Sequence, residues 1–275
     1  IQRKPANYTS LGYLRVAAAA PSLVIGDAIT NAKSILEQAN DLAAEGVTLA
    51  VFPELCLTGY SAEDLFFSEA LMADTQSALQ HLCACDIPLL IVGAPWRLCD
   101  GRLINCAVAI GNHRVLGMIP KTFLPNYSEY YEQRWFASGA SVNETEVHDT
   151  LGTFHIRVDQ LFRLGDALVG AEICEDLWAP VNPGTHAALA GSNIVCNLSA
   201  SNELVSKADY REDLVRMTSA KSFCAYVYAG AGVMESTKDV VFGGHCLIAE
   251  AGQLLAQSKR FELSPQAVIG EVDLQ

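Results

Sequence analysis

The sequence predicts an α/β fold in which strands and helices alternate around a large apolar core. Of the 275 residues, 51% are hydrophobic, which is enough to bury a sizeable core. Apolar runs of strand length recur along the chain, and segments with helical periodicity lie between them. There is no internal repeat, low-complexity tract or linker, so we expect one domain over residues 1–275.

The first elements are a strand, a helix and a second strand. The run "LRVAAAA" at 14–20 predicts a strand, and the run "VTLAVF" at 47–52 predicts another. Between them, apolar residues recur at helical spacing from Asp27, a candidate N-cap, to Gly46, a stop signal. This pattern predicts one amphipathic helix.

The next segment ends in an antiparallel hairpin. A helix is expected at 69–82 and a fully apolar strand at 88–95. The runs "INCAVAI" at 104–110 and "RVLGMIP" at 114–120 flank the turn signal "GNH", which predicts a hairpin. A long loop rich in aromatic residues follows at 121–139.

The second half continues the alternation of strands and helices. We expect strands within 154–158, 161–174 and 193–198, and a helix at 185–192. A second helix is expected within 206–224, where Tyr210, Leu214, Met217 and Cys224 share one predicted apolar face. Further strands are expected within 225–230, 240–250, 253–261 and 268–274.

Charge makes two classes of partner unfavourable. The 18 Lys and Arg residues against 31 Asp and Glu residues leave a net charge of -13, which repels a phosphate backbone and an anionic membrane surface. No apolar run approaches the roughly 20 residues that span a bilayer. We therefore expect neither a nucleic acid nor a membrane as partner.

Nine cysteines are scattered through apolar segments rather than arranged in paired spacings. This distribution is typical of reduced core residues, and it favours a cytoplasmic location. Cys83 and Cys85 lie near His81, but no second pair of ligands accompanies them. No metal site is therefore expected.

Cys174 is the first candidate catalytic residue. It ends the apolar run "ALVGAEIC" and precedes a polar loop, and functional groups collect at the carboxyl ends of strands. The alternative is a small buried hydrophobic residue. Three carboxylates, Glu172, Glu175 and Asp176, surround it in sequence, and such neighbours oppose a thiolate. A nucleophile here needs a base and a cation.

Glu54 and Lys121 are the candidates for these two partners. Glu54 directly follows Pro53 at the end of an apolar run, and its apolar flanks favour a partly buried base over a solvated loop carboxylate. Lys121 follows the hairpin between Pro120 and Pro125. The alternative is a surface charge, but this constrained position would let the ammonium face a developing oxyanion.

Three motifs, "FPELCLTGY", "PKTFLPNY" and "AEICEDLW", occur in that order and resemble the Glu-Lys-Cys signatures of the nitrilase superfamily of carbon-nitrogen hydrolases. Further segments, among them "GYSAEDLFF", "NLSAS" and "ESTKDVVFGGHCLIAEAG", resemble the glutaminase domains of glutamine-dependent NAD+ synthetases. The resemblance covers nearly the whole chain. It implies a nitrilase-like α-β-β-α sandwich and a homo-oligomer.

The resemblance also implies roles for individual residues. Glu54 would be the general base, Lys121 would stabilise the tetrahedral intermediate with the backbone N-H after Cys174, and Cys174 would be the nucleophile. L-Glutamine would be bound by Tyr127, Ser201 and Lys207, with Glu132 and Glu175 in supporting positions. For Lys207 the alternative is a first-turn helix residue that faces water.

The sequence departs from the family pattern at Asn202, where proline is frequent. This departure leaves the geometry around Ser201 to be determined.

The implied reaction is hydrolysis of L-glutamine through a thioester, without a cofactor in this domain. In the family, the ammonia passes to a C-terminal domain that uses ATP and Mg to amidate deamido-NAD+. The sequence contains no Ser-Gly-Gly-x-Asp loop, and the chain begins with Ile1. We therefore expect a portion of a longer polypeptide whose synthetase domain is absent. The alternatives are a stand-alone amidase for another small amide and a non-catalytic relative.

Overall fold

The computed structural model describes residues 11–143 and 145–274. Ile1, with which the sequence begins, lies outside the described residues. Their strands form two sheets. The first has eight strands, in the spatial order β14 (Gln266–Asp273), β1 (Tyr13–Ala20), β2 (Leu49–Val51), β3 (Leu89–Arg97), β4 (Leu103–Gly111), β5 (Arg114–Pro120), β7 (Gly152–Ile156) and β6 (Thr145–Asp149). Strands β1, β2 and β3 are parallel, and β3, β4 and β5 are antiparallel.

The second sheet has six strands, and helices cover the outer faces of both sheets. Its spatial order is β13 (Gln253–Gln257), β12 (Leu247–Glu250), β11 (Ala225–Gly230), β10 (Ile194–Ser199), β9 (Ala167–Ile173) and β8 (Phe162–Leu164). Strands β9, β10 and β11 are parallel. The helices are α1 (Ala28–Ala44), α2 (Glu69–Leu82), α3 (Pro183–Leu189) and α4 (Lys207–Ser222).

Three apolar clusters separate the layers. Side chains such as Val16, Val51 and Ile91 of the first sheet pack against Val169 and Leu198 of the second. A larger cluster lies between α1, α2 and the outer face of the first sheet. A smaller one joins α4 to the outer face of the second sheet. Since the central strands alternate their side chains between two covered faces, strands such as β2, β4, β10 and β11 are buried along their whole length. This arrangement confirms the α-β-β-α sandwich.

The two N-terminal helices lie where the sequence predicts them, the first with its predicted cap and stop and the second with a cap that was not assigned. Asp27 accepts a hydrogen bond from the Thr30 N-H at 3.0 Å, and Gly46 follows the helix with a φ of 84°, as a left-handed stop requires. Ser68 caps α2 by accepting from the Leu71 N-H. None of the helices in the described residues combines the length and apolar character that a bilayer crossing requires.

The predicted apolar face of α4 was only half correct. Leu214 and Cys224 pack in the cluster on the outer face of the second sheet, but Tyr210 and Met217 are exposed. The buried face of the helix also carries Arg211, Val215 and small polar residues. Arg211 can be buried because distant residues supply hydrogen-bond acceptors, a condition that periodicity in one segment cannot reveal.

The expected strand within 240–250 was too long. Residues 240–246 form an irregular segment, and β12 begins only at Leu247. All nine cysteines are free, and eight of them are buried. In the part of the chain that the structure describes, no group of three or more metal-ligating side chains could hold an ion.

Candidate active site

The ends of strands from both sheets bring Glu54, Lys121 and Cys174 together. Glu54 follows β2 and Lys121 follows β5 in the first sheet, whereas Cys174 follows β9 in the second. The Glu54 and Lys121 side chains are fully buried, and Cys174 is 6% exposed. The alternatives of a solvated carboxylate and a surface lysine are therefore both wrong.

Lys121 lies between two carboxylates. Its Nζ is 2.6 Å from Glu54 Oε1 and 2.7 Å from Glu132 Oε1. Burial disfavours the ammonium, but Glu132 and Glu54 outweigh this effect and raise the pKa of Lys121 well above its ordinary value. Lys121 is therefore a fixed positive charge inside the protein.

Glu54 is held in place through both carboxylate oxygens. Oε1 accepts from the Asn105 side-chain amide at 2.7 Å in addition to Lys121. Oε2 accepts from the Ala200 N-H at 2.8 Å, at the end of β10 in the other sheet. A Cβ at Gly93 would lie 2.7 Å from the Glu54 carbonyl carbon and closer still to its neighbours. Only glycine on β3 lets the Glu54 backbone approach this closely.

Glu132 is the third ionisable member of this cluster. Its Oε1 accepts from the Tyr60 hydroxyl at 2.8 Å as well as from Lys121. Burial raises the pKa of Glu132, Lys121 lowers it, and Glu54 raises it again, with a net increase. The cluster thus holds two carboxylates around one ammonium, a composition that favours the retention of a proton.

Cys174 sits at a sharp turn between β9 and a short 3-10 helix, residues 174–178. Its φ of 44° is unusual for a residue with a Cβ and marks local backbone strain. Burial raises the pKa of the Cys174 thiol, the Glu54 carboxylate raises it further, and Lys121 opposes this effect. The resting group is therefore a thiol, close enough to Glu54 and Lys121 to sense their charges.

Each of the three carboxylates next to Cys174 in sequence accepts hydrogen bonds from its own donors. Glu172 accepts from the Gly184 N-H at 2.7 Å and from the Tyr226 hydroxyl, on the outer face of the second sheet. Glu175 accepts from the Tyr127 hydroxyl at 3.0 Å. Because each carboxylate has its own partner, the acidic sequence does not surround the sulfur with unpaired charge.

Asp176 links the Cys174 turn to the chain after Lys121. It accepts backbone N-H bonds from Ile173 at 3.0 Å, from Thr122 at 3.1 Å and from Phe123 at 2.8 Å. Burial nevertheless raises the pKa of Asp176 to about 8. These contacts fix the relative positions of the two sheets' catalytic candidates.

A cavity of about 400 Å³ lies next to Cys174. Its lining includes every residue that the resemblance assigns to glutamine, namely Tyr127, Ser201 and Lys207, together with Glu175. Trp178 and Tyr210 add an apolar wall. Of the three candidate catalytic residues, Cys174 lines this cavity and Glu54 and Lys121 do not, so a molecule in the cavity can contact the thiol, on which the charges of Glu54 and Lys121 act.

Lys207 does not simply face water, although it begins α4. It is half-buried and lies 5.4 Å from the centre of the Trp178 ring, a distance that suits a cation-π contact. Burial lowers the pKa of Lys207.

Several polar residues of the site were not assigned from the sequence. Tyr60, Asn105 and Asp176 each hold a candidate catalytic residue or its neighbouring backbone. Tyr130 accepts from the Asn202 N-H at 2.9 Å and so joins the aromatic loop to the loop after β10. No local pattern identifies these residues, because their partners are distant in sequence.

Comparison with known proteins agrees with this arrangement. A family model described as carbon-nitrogen hydrolase matches residues 15–275. A glutamine-dependent NAD(+) synthetase of Mycobacterium leprae is 39% identical over 279 residues, which cover 98% of this chain and 40% of the relative. The chain thus spans about 40% of the length of this curated relative.

Two solved structures illustrate the similarity in fold. A glutamine-dependent NAD(+) synthetase from Cytophaga hutchinsonii matches with a TM-score of 0.86 and 29% identity, over 94% of this chain and 43% of its own. An amidase of the nitrilase superfamily from Nesterenkonia matches with a TM-score of 0.74 and 18% identity, over 94% of this chain and 90% of its own. The second likeness concerns the fold alone.

Proposed function

The chain belongs to the carbon-nitrogen hydrolase family, and from that membership we propose that it hydrolyses the side-chain amide of L-glutamine. The observation that carries the proposal is the buried Glu54–Lys121 pair, with Nζ and Oε1 2.6 Å apart, behind a thiol that lines a cavity. The names of the similar proteins, glutamine-dependent NAD(+) synthetases, support glutamine as the amide.

In the first half-reaction, Cys174 Sγ attacks the amide carbon while Glu54 accepts the thiol proton. A raised thiol pKa is compatible with this step, because the proton leaves as the carbon-sulfur bond forms. The carbonyl oxygen becomes an oxyanion, which Lys121 and the backbone N-H after Cys174 would stabilise. Glu54 then returns the proton to the amine, and the carbon-nitrogen bond breaks to release ammonia.

In the second half-reaction, water attacks the glutamyl thioester. Glu54 removes a proton from the water and a second oxyanion forms at the same place. The carbon-sulfur bond then breaks as Glu54 returns that proton to the departing sulfur. The products are glutamate and the free thiol. Glu132 supports this cycle by holding Lys121 from the side opposite Glu54.

Glutamine recognition falls on the cavity beside the thiol. Lys207 offers an ammonium for the substrate's α-carboxylate, and Glu175, which Tyr127 orients, offers a carboxylate for its α-ammonium. Ser201 supplies a hydroxyl at the same wall. A cavity lined by charges of both signs suits an amino-acid amide better than an uncharged one.

We further propose that this chain is the glutaminase domain of a longer protein. Its relatives are about two and a half times its length, since it covers 40% of the M. leprae protein. Ammonia would pass to a synthetase domain that uses ATP and Mg to amidate deamido-NAD+. A homo-oligomer, a cytoplasmic location and a cofactor-free hydrolase domain remain predictions.

Ammonia release from L-glutamine, measured with Cys174→Ala and with Cys99→Ala, tests the hydrolase proposal. Cys99 is exposed, so its variant is the matched control and should keep activity. In Cys174→Ala, the rate of ammonia release should fall at least about a thousandfold, as it does when a nucleophile is removed. A diazoketone analogue of glutamine should label Cys174 at one equivalent per chain, even if turnover is slow.

The two alternatives give different results. If the protein hydrolyses propionamide but neither hydrolyses L-glutamine nor is labelled by the diazoketone, it is an amidase for another small amide. Activity that persists in Cys174→Ala would end the assignment of the nucleophile. A chain that neither hydrolyses amides nor reacts with the diazoketone would be a non-catalytic relative.

A further inference from the structure

Asn202 occupies a buried position between the two loops that line the cavity. It is 3% exposed. Its backbone N-H donates to the Tyr130 hydroxyl at 2.9 Å, and its carbonyl accepts from Arg211 Nη2 at 3.0 Å. Proline at this position has no N-H for Tyr130. The backbone of residue 202 is thus fixed from two sides by contacts to other segments.

The Asn202 side chain bridges a cation and an anion. Its Oδ1 accepts from Lys207 Nζ, and its Nδ2 donates to Glu129 Oε1. The orientation of the amide follows from chemistry, because an ammonium can only donate and a carboxylate can only accept. A neutral group therefore separates two charges that would otherwise attract each other directly.

This bridge leaves Lys207 without a direct ion pair. Among residues 11–143 and 145–274, the direct ion pairs do not include Lys207. Its ammonium contacts the Asn202 oxygen and the Trp178 ring, and the Glu129 and Glu175 carboxylates act on its charge only from a greater distance. An ammonium has three donors, of which Asn202 takes one. Since Lys207 lines the cavity, its remaining donors are available to a molecule there.

We propose that Asn202 is a specificity-determining residue, which keeps Lys207 away from Glu129 and so reserves the ammonium for the α-carboxylate of the substrate. This inference rests on the proposed glutaminase function. It assigns the preference for a carboxylate-bearing amide to a neutral side chain that need not touch the substrate. A carboxylate at residue 202, or direct pairing of Lys207 with Glu129, would neutralise the Lys207 ammonium.

The test compares L-glutamine with 4-aminobutanamide, which lacks the α-carboxylate. Asn202→Asp has nearly the same shape but pairs with Lys207. It should raise KM for L-glutamine at least about tenfold while kcat changes less than about threefold. Its kcat/KM for 4-aminobutanamide should stay within about twofold of the parent. Asn40→Asp, at an exposed position of α1, makes the same change in charge far from the cavity. It should change neither KM nor kcat for either substrate.

A second pair of variants tests whether Asn202 acts by keeping Lys207 away from Glu129 or only by maintaining the local structure. In Asn202→Ala, Lys207 can reach Glu129, so KM for L-glutamine should again rise. Adding Glu129→Gln removes the competing carboxylate and should bring KM back toward the parent value. A structural defect at residue 202 would not be repaired by that second change.

Three results would overturn the inference. They are an unchanged KM for L-glutamine in Asn202→Asp, an equal loss on both substrates, and no recovery in the double variant. If the parent protein neither hydrolyses L-glutamine nor is labelled at Cys174 by the diazoketone, the proposed function fails instead. Iodoacetamide alkylation of Cys174, which needs no Lys207 contact, should be equal in the parent and the variants and shows that the thiol site is intact.

Discussion

Lys121 illustrates how single residues define this site. Its ammonium contacts Glu54 and Glu132 with no exposure to solvent. Removing one partner from a buried ion cluster leaves uncompensated charge, and this penalty exceeds that of losing a surface pair. The contacts that hold Lys121 in the candidate active site therefore also make its removal costly to stability.

Replacement of Lys121 by methionine should lower both activity and stability. Two carboxylates would face each other without a cation, so we expect a loss of about 3–5 kcal/mol in the free energy of unfolding at pH 7. Unpaired buried carboxylates bind protons more readily, so the variant should be less impaired at pH 5 than at pH 8. Urea unfolding at the two pH values measures this difference.

Lys33→Met provides the control for this experiment. Lys33 is exposed on α1, and its replacement should change stability by less than about 0.5 kcal/mol. An equal effect of the two substitutions, or a Lys121→Met loss that is independent of pH, would contradict the assigned cluster.

Among the elements, β3 decides where Glu54 lies. A Cβ at Gly93 would be 2.2 Å from the Leu55 nitrogen, 2.4 Å from the Pro53 oxygen and 2.7 Å from the Glu54 carbonyl carbon. These are backbone atoms, which cannot turn aside as a flexible side chain would. The spacing between β3 and the turn after β2 therefore requires glycine.

Gly93→Ala should displace the Glu54 turn. We expect glutamine hydrolysis to fall by at least about a hundredfold, because a shift of about 1 Å in a catalytic group has an effect of this size. Stability should also fall by about 1–3 kcal/mol, the typical result of overpacking. Steady-state ammonia release and thermal unfolding measure the two effects.

Gly232→Ala is the matched control, because the nearest atom to a Cβ at this position would be the Pro21 oxygen at an ordinary 3.5 Å. It should leave activity and stability near the parent values. A fully active Gly93→Ala protein would show that the Glu54 turn tolerates displacement.

For the molecule as a whole, the site depends on the meeting of two sheets. Glu54 binds both Asn105 of β4 in its own sheet and the Ala200 N-H after β10 in the other. Asp176, which follows β9 of the second sheet, accepts hydrogen bonds from the backbone after Lys121 in the first sheet. Separation of the sheets would therefore dismantle the cluster.

Buried carboxyl groups should make the stability of the folded protein fall as the pH rises. Burial raises the pKa of Glu235 to about 8, and its Oε2 accepts from the Tyr60 N-H at 2.6 Å. Between about pH 4.5 and 8 the unfolded chain ionises this group while the folded chain keeps it protonated, so the unfolded state binds fewer protons. Below and above that window, the contribution of Glu235 no longer changes with pH.

Glu235→Gln, which stays neutral at every pH, should lose less stability than the parent between pH 5 and pH 8. We expect a difference on the order of 2–4 kcal/mol in the two pH responses, measured by urea unfolding. Glu37→Gln on the exposed side of α1 should follow the parent. A parallel response of Glu235→Gln and the parent would show that Glu235 ionises normally in the fold.

Local patterns determined much of this protein. A cap and a stop signal identified α1, an apolar pattern identified α2, and the three motifs containing Glu54, Lys121 and Cys174 identified the residues that the fold brings together. Such features depend on neighbours within one segment, because caps and periodicity act over a few residues.

Only the tertiary structure decided which side chains hold that site in place. Tyr60 and Glu132 are 72 positions apart, and Asn105 and Glu54 are 51 apart. The buried face of α4 was assigned only in part for the same reason, since Arg211 is buried against Glu203 and His245. A polar side chain is buried only where distant segments supply its partners, and no single stretch of sequence contains that information.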